Sequence, residues 1–185
     1  MFLGHYAVGL AAKRATPALS LGLLFGAAQL ADLLWPNLLL AGVEQLEIVP
    51  GATAVNPLRF VSYPWSHSLV ALGAWGVLLA TLAVLLRRGR GRDAAIVVGV
   101  VVSHWVLDVV SHLPDMPLTI TGETRLGLGL WRSLPWTLAV EVLLLERTGH
   151  DRWEALVRPS RKIRSGERLN HDDLVVEVGE ILDED

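Results

Sequence analysis

AAIVVGVVVSHWVLDVVSHLPD, residues 94–115, decides how the rest of the chain is read. It opens as a lipid-compatible apolar run and then places His104, Asp108 and His112 at four-residue intervals. Residues four apart stack along one face of an α-helix. Ionisable groups on such a stripe are costly to bury, so they need partners from elsewhere in the chain.

Composition sets the environment in which those partners are sought. The 185-residue chain is 52% hydrophobic, with 17 glycines and 7 tryptophans, and its mean hydropathy is positive. That is the make-up of a membrane-embedded protein rather than a soluble one. The formal net charge of −3 says little, because the charges crowd into residues 87–93 and the segment after Leu145. There are no cysteines, which excludes a disulfide framework and a thiolate metal site. Nucleic acid is not an expected partner. The start, MFLGHYAVGLAAKRA, has its basic pair after its apolar part. That order is the reverse of a secretory signal, so the N-terminus is expected to be retained.

A membrane-crossing helix takes about 20 mostly apolar residues. Segments 17–41, 68–86, 94–112 and 126–146 meet that length, and residues 2–14 form a shorter apolar stretch ended by Thr16-Pro17. The expected fold is therefore all-α. It is a polytopic membrane helix bundle of four long spans plus a short N-terminal helix, occupying residues 1–146. The charged tail, 147–185, acidic and free of Lys and Arg from Asp172 on, reads as a solvated, partly disordered cytoplasmic segment. Gly22 and Gly26 have the GxxxG spacing that lets a neighbouring helix come close.

Lysine and arginine set the orientation. The connection RRGRGR at 87–92, Lys13-Arg14 and the segment after the fourth span are basic, which assigns them to the cytoplasmic side. Loops 42–67 and 113–125 then face outward. The first of them interleaves Pro50-Gly51, Asn56-Pro57 and Tyr63-Pro64-Trp65 with aromatic residues, and reads as an ordered cap.

At about 1.5 Å per residue, His104 lies near the midplane, Asp108 higher, and His112 close to the outer boundary. Asp32 lies about 22 Å beyond Pro17, at matching height. His67 enters from the outer surface, and an inserted N-terminal helix brings His5 to the same level. Imidazole and carboxylate groups without sulfur suit a divalent metal, zinc above all. A lone His/Asp pair four residues apart is usually a structural hydrogen bond. The matching heights of Asp32 and His67 favour an ion. His104 and His112 are about 12 Å apart along the axis and cannot share one ion directly. Glu141 is expected deeper, in an ion pair with Lys13 or Arg14, and Arg132 is expected to reach toward lipid phosphates.

Four short motifs carry a family resemblance over roughly residues 1–146. GHYAVG holds His5, AAQLADLLWP holds Asp32, YPWSHS holds His67, and SHWVLDVVSH holds His104 and Asp108. Together they resemble the bacterial family of predicted membrane-bound metal-dependent hydrolases, whose polar motif is similar to that of zinc-dependent phospholipases C. The family's acidic motif often has a second aspartate, where this chain has Leu33-Leu34. The resemblance implies His5, Asp32, His67, His104 and Asp108 as metal ligands.

The resulting expectation is a metal-dependent hydrolase in a bacterial cytoplasmic membrane, multi-pass, with membrane lipid as its surroundings. Its substrate would be a lipid or lipid-linked phosphoester met at the outer face. Ser68, Ser103 and Ser111 would support the ligands through hydrogen bonds, and His112 and Asp115 would stand at the entrance. Two alternatives use the same cluster. One is an ion or metal transporter with a His/Asp relay; the other is a non-catalytic membrane module whose polar cluster fixes helix packing.

Overall fold

The computed structural model describes residues 2–86, 91–143, 147–149, 152–153, 168–171 and 174–177. The chain divides into two compact units, Met1–Arg147 and Thr148–Asp185.

The first unit begins with α1 (Phe2–Ala15). Lys13 Nζ donates to the carbonyls of Pro17 (2.9 Å) and Leu19 (2.6 Å), which closes the turn that follows. Ser20 caps α2 (Leu21–Ala28), its hydroxyl oxygen accepting from Leu23 N at 3.2 Å. At Gln29 the chain bends by 53° into α3 (Leu30–Leu40). Pro36 lies inside α3 and, having no N–H, leaves the carbonyl of Asp32 without its usual helical donor.

The expected cap is an antiparallel hairpin of β1 (Gln45–Ile48) and β2 (Leu58–Ser62), with Leu46 opposite Phe60 and Glu47 opposite Arg59. The four-residue helix α4 (Pro64–His67) follows, then α5 (Leu69–Leu85) and the long α6 (Gly91–Ser111). Helices α5 and α6 pack closely at Gly76, where an added Cβ would lie 3.3 Å from Val98 Cα. No such approach occurs at Gly22 or Gly26, where a Cβ would meet nothing within 4 Å. The close contact is thus made by a glycine outside the GxxxG pair. Leu24, Ala27, Leu72, Val97, Val101 and Trp105 belong to the buried core between α2, α5 and α6.

Beyond α6, β3 (Met116–Pro117) pairs with β4 (Arg125–Leu126). A single 3-10 turn (Leu130–Arg132) then leads to α7 (Leu134–Leu143). Two more two-stranded sheets follow in sequence, β5 (Arg147–Gly149) with β6 (Arg152–Trp153) and β7 (Arg168–His171) with β8 (Leu174–Glu177). Residues 87–90 of the basic connection and most of the tail 147–185, His150 among them, lie outside the described residues.

This overturns the expected all-α bundle of four long spans. Among the described residues the fold is mixed, though mostly helical. Among the described residues only α6 is long and apolar enough to cross a membrane by length and composition, or two spans if α2 and α3 count as one bent pair. Three local causes separate the expectation from the fold. Segment 17–41 is broken at Gln29. Segment 68–86 yields a helix of 17 residues. Segment 126–146 is shortened at its start, where Leu128 N donates to Val109 O and Gly129 N to His112 O, both at 2.7 Å. Residues 127–129 thereby satisfy end carbonyls of α6 instead of starting a helix. Gly129 adopts a left-handed φ of 74°, and a Cβ on Gly127 would fall 1.9 Å from Leu113 O. Apolar composition counted these residues as span, while their backbone is committed to capping.

Candidate metal centre

Four separate elements supply the cluster: α1 gives His5, α3 gives Asp32, α4 gives His67, and α6 gives His104 and Asp108. Their side chains meet. His104 Nε2 lies 3.1 Å from Asp108 Oδ2 and 3.7 Å from Asp32 Oδ1. His67 Nε2 lies 3.5 Å from Asp32 Oδ1 and 3.9 Å from Asp108 Oδ2. His5 Nε2 approaches the other oxygen of Asp108, Oδ1, at 3.2 Å. The His5 and His104 rings stack with centroids 3.8 Å apart and planes within 5°.

Burial makes this arrangement informative. His5, His67, His104 and Asp108 are all buried, whereas the Asp32 side chain is 42% exposed and forms the open side of the cluster. Desolvation drives the His5 pKa from 6.5 to about 4, against its hydrogen bond with Asp108. Burial also lowers that of His67, against its contact with Asp32. Neutral imidazole is the form that binds metals.

The donor set fits a divalent cation. Asp32, His67 and His104 form one group able to hold an ion, and His5, His104 and Asp108 form an overlapping one. With zinc–ligand bonds near 2.0–2.1 Å, the edges of a tetrahedral site are about 3.3 Å. Four separations among these residues, His67–Asp32, His67–Asp108, His104–Asp32 and His104–Asp108, are 3.1–3.9 Å and fall around that value. His104 Nδ1 donates to Ala28 O at 2.7 Å, which leaves Nε2 as the nitrogen that faces Asp32 and Asp108. A buried nitrogen between two carboxylates calls for a cation there, a proton or a metal ion. The bend at Gln29 follows Ala28, whose carbonyl receives His104.

The entrance residues form a second limb. His112 Nε2 is 3.8 Å from Asp108 Oδ2, and its Nδ1 is 3.1 Å from Asp115 Oδ1. Asp108 therefore stands between His104 and His112, which share no ion directly but share this carboxylate. Tyr63 hydroxyl donates to Asp115 Oδ1 at 2.8 Å, and burial raises the Tyr63 pKa far above its ordinary value. The His112 ring lies against Phe60 and Trp131. Beyond it is a cleft of about 240 Å³ lined by Arg59, Phe60, Asp115 and Trp131, among others.

Other expectations need correction. Ser68 caps α5 by accepting from Ala71 N, while Ser103 and Ser111 donate to carbonyls of their own helix, Val100 O and Leu107 O. Their short side chains reach the nearest backbone groups, so none of these bonds supports a ligand. Glu141 accepts from Gly4 N at 2.8 Å, at the opposite end of α1 from Lys13 and Arg14. Because α7 starts only at Leu134, the Glu141 carboxylate meets the residue before His5 rather than lying deep on the other side. Glu44 and Ser66, buried behind His67, were not among the expected site residues, although Ser66 lies within the YPWSHS motif. Glu44 Oε1 accepts from Trp65 N (2.9 Å) and Ser66 N (2.8 Å), and its Oε2 accepts from Ser66 Oγ (2.7 Å). Ser66 Oγ is 2.7 Å from His67 Nδ1. Glu44 acts from 22 residues away, so no local pattern marks it.

No family model and no solved structure matches the chain. A curated S-adenosylmethionine:tRNA ribosyltransferase-isomerase from Symbiobacterium thermophilum is 61% identical over 31 residues. The match covers 17% of this chain and 9% of that protein's length.

Proposed function

We propose that the protein is a membrane-associated, metal-dependent hydrolase acting on a lipid or lipid-linked phosphoester. The observation that carries this reading is the convergence of two histidines and two aspartates from α3, α4 and α6 at separations of 3.1–3.9 Å. Asp32, His67, His104 and Asp108 would hold the ion, zinc being the best match to nitrogen and oxygen donors. His5 would hold Asp108 in place through its other oxygen. The two carboxylates balance a divalent charge.

A divalent ion held by these residues would supply Lewis acidity toward water and a phosphoryl oxygen. The protein's own groups do the rest. Asp32 leaves the cluster open on one side, where a substrate can arrive. Arg59 and Asp115 line the neighbouring cleft, and Arg59, in an exposed ion pair with Glu47 at 3.5 Å, would exchange that partner for a phosphate. Membrane association is supported by apolar side chains left exposed on α5, α6 and α7, including Val77, Leu78, Leu85, Val106 and Trp136. The four spaced motifs that resemble the hydrolase family support the reading as well.

The test is metal analysis of purified protein beside Asp108→Ala. Stoichiometric zinc in the wild type and its loss from the variant is the expected result; equal trace content in both removes the proposal. Hydrolysis of a panel of phospholipids and lipid pyrophosphates by zinc-loaded protein, compared with ion flux in proteoliposomes, then separates an enzyme from a transporter.

A further inference from the structure

We infer that Glu44, acting through Ser66, is the positioning residue that sets which nitrogen of His67 faces the ion. The inference rests on the reading of the cluster as an ion site and concerns a residue outside its donor set.

Counting protons gives the direction of the relay. Glu44 takes three hydrogen bonds, two from the backbone N–H groups of Trp65 and Ser66 and one from Ser66 Oγ. A carboxylate in that position only accepts. The Ser66 hydroxyl has one hydrogen, and Glu44 Oε2 at 2.7 Å claims it over the alternative acceptor, Tyr63 O at 3.5 Å. Ser66 Oγ must then accept from His67 Nδ1, which lies at 2.7 Å. The ring therefore carries its proton on Nδ1 and presents the Nε2 lone pair to the space beside Asp32 and Asp108. The His104 ring is likewise held from its far side, its Nδ1 donating to Ala28 O. Both imidazoles thus have their metal-binding nitrogen chosen by a buried acceptor on the far side of the ring.

The geometry also explains why an acidic residue with three donors is buried just ahead of β1. Glu44 does two jobs with one group, capping the start of α4 and holding the orientation of its last residue. Because it immediately precedes the hairpin, it ties the cap to the ion site.

Glu44→Gln separates these jobs. The amide carbonyl still accepts from the Trp65 and Ser66 N–H groups, but its NH2 now faces Ser66 Oγ. The hydroxyl hydrogen turns toward His67 Nδ1, and the ring proton moves to Nε2, where it blocks the ion. Zinc affinity is expected to fall about 10- to 100-fold, measured by competition with a chelating dye. Imidazole nitrogen shifts in NMR of the metal-free protein should show His67 protonated on Nδ1 in the wild type and on Nε2 in Glu44→Gln. Ser66→Thr should keep both the affinity and the wild-type tautomer, and Ser66→Ala should lose both; this pair carries the test if Glu44→Gln does not fold. An Nε2–H ring in the wild type overturns the relay. So does wild-type affinity in Glu44→Gln, or equal behaviour of the threonine and alanine variants. A wild type that binds no zinc removes the proposed function alone, since the tautomer in the metal-free protein still decides the relay.

Discussion

His5 is a buried imidazole held neutral. The folded chain refuses it a proton until about pH 4, while the unfolded chain takes one up near pH 6.5. Between those values the unfolded state binds more protons, so stability falls as pH drops through the window and no further below it. The full effect is roughly 3 kcal/mol. Unfolding of the metal-free protein at pH 7 and pH 5 should show a smaller difference in His5→Gln than in the wild type. An identical difference would mean that His5 titrates normally. At this scale the sequence was most informative, because a His or Asp in an apolar run is conspicuous on its own. Ser68, Ser103 and Ser111 were not separable from Ser66 in that way. All are small hydroxyl residues near a motif, and only the path of the backbone decides which reaches a ligand.

Among the elements, glycine positions give the sharpest contrast. A Cβ at Gly127 would meet Leu113 O at 1.9 Å and His112 O at 2.7 Å, both backbone atoms that cannot yield without moving the end of α6. Gly127→Ala should destabilise the protein by about 3 kcal/mol and disturb His112. Gly76→Ala, with Val98 Cα at 3.3 Å, should cost less. Gly22→Ala meets open space and should be neutral or stabilising by up to about 1 kcal/mol, as expected for replacing glycine in a helix. Thermal unfolding of the three variants checks the order, and a destabilised Gly22→Ala would restore the GxxxG contact. The end of α1 was legible where local chemistry sets it, at Thr16-Pro17, whereas the next helix starts at Leu21 rather than at residue 17. The failure at 126–133 has a clear source: glycines, leucines and a tryptophan satisfy a hydropathy window whether they form a helix or cap one.

For the whole molecule, the governing question is what covers its apolar outside. Leu40, Ile48, Leu85, Leu128 and Trp136 are among the large side chains left exposed. Lipid is the cover proposed above, with α6 the one described helix of crossing length. Mixed with phospholipid vesicles after removal of detergent, the protein should float with them in a density gradient and resist extraction by carbonate. A monomer that stays dispersed in buffer without lipid or detergent would contradict the membrane reading.

The sequence by itself picked out the ionisable residues that meet in the buried cluster, because such side chains are expensive in apolar surroundings and stand out at once. It also determined the helical spacing of His104, Asp108 and His112 on one face. The length of the helices, the bend at Gln29 that presents Ala28 O to His104, and the burial of Glu44 behind Ser66 were decided only by the tertiary structure. Each depends on a partner far away in the chain, and a carbonyl or carboxylate does not announce in its own neighbourhood which distant donor will reach it.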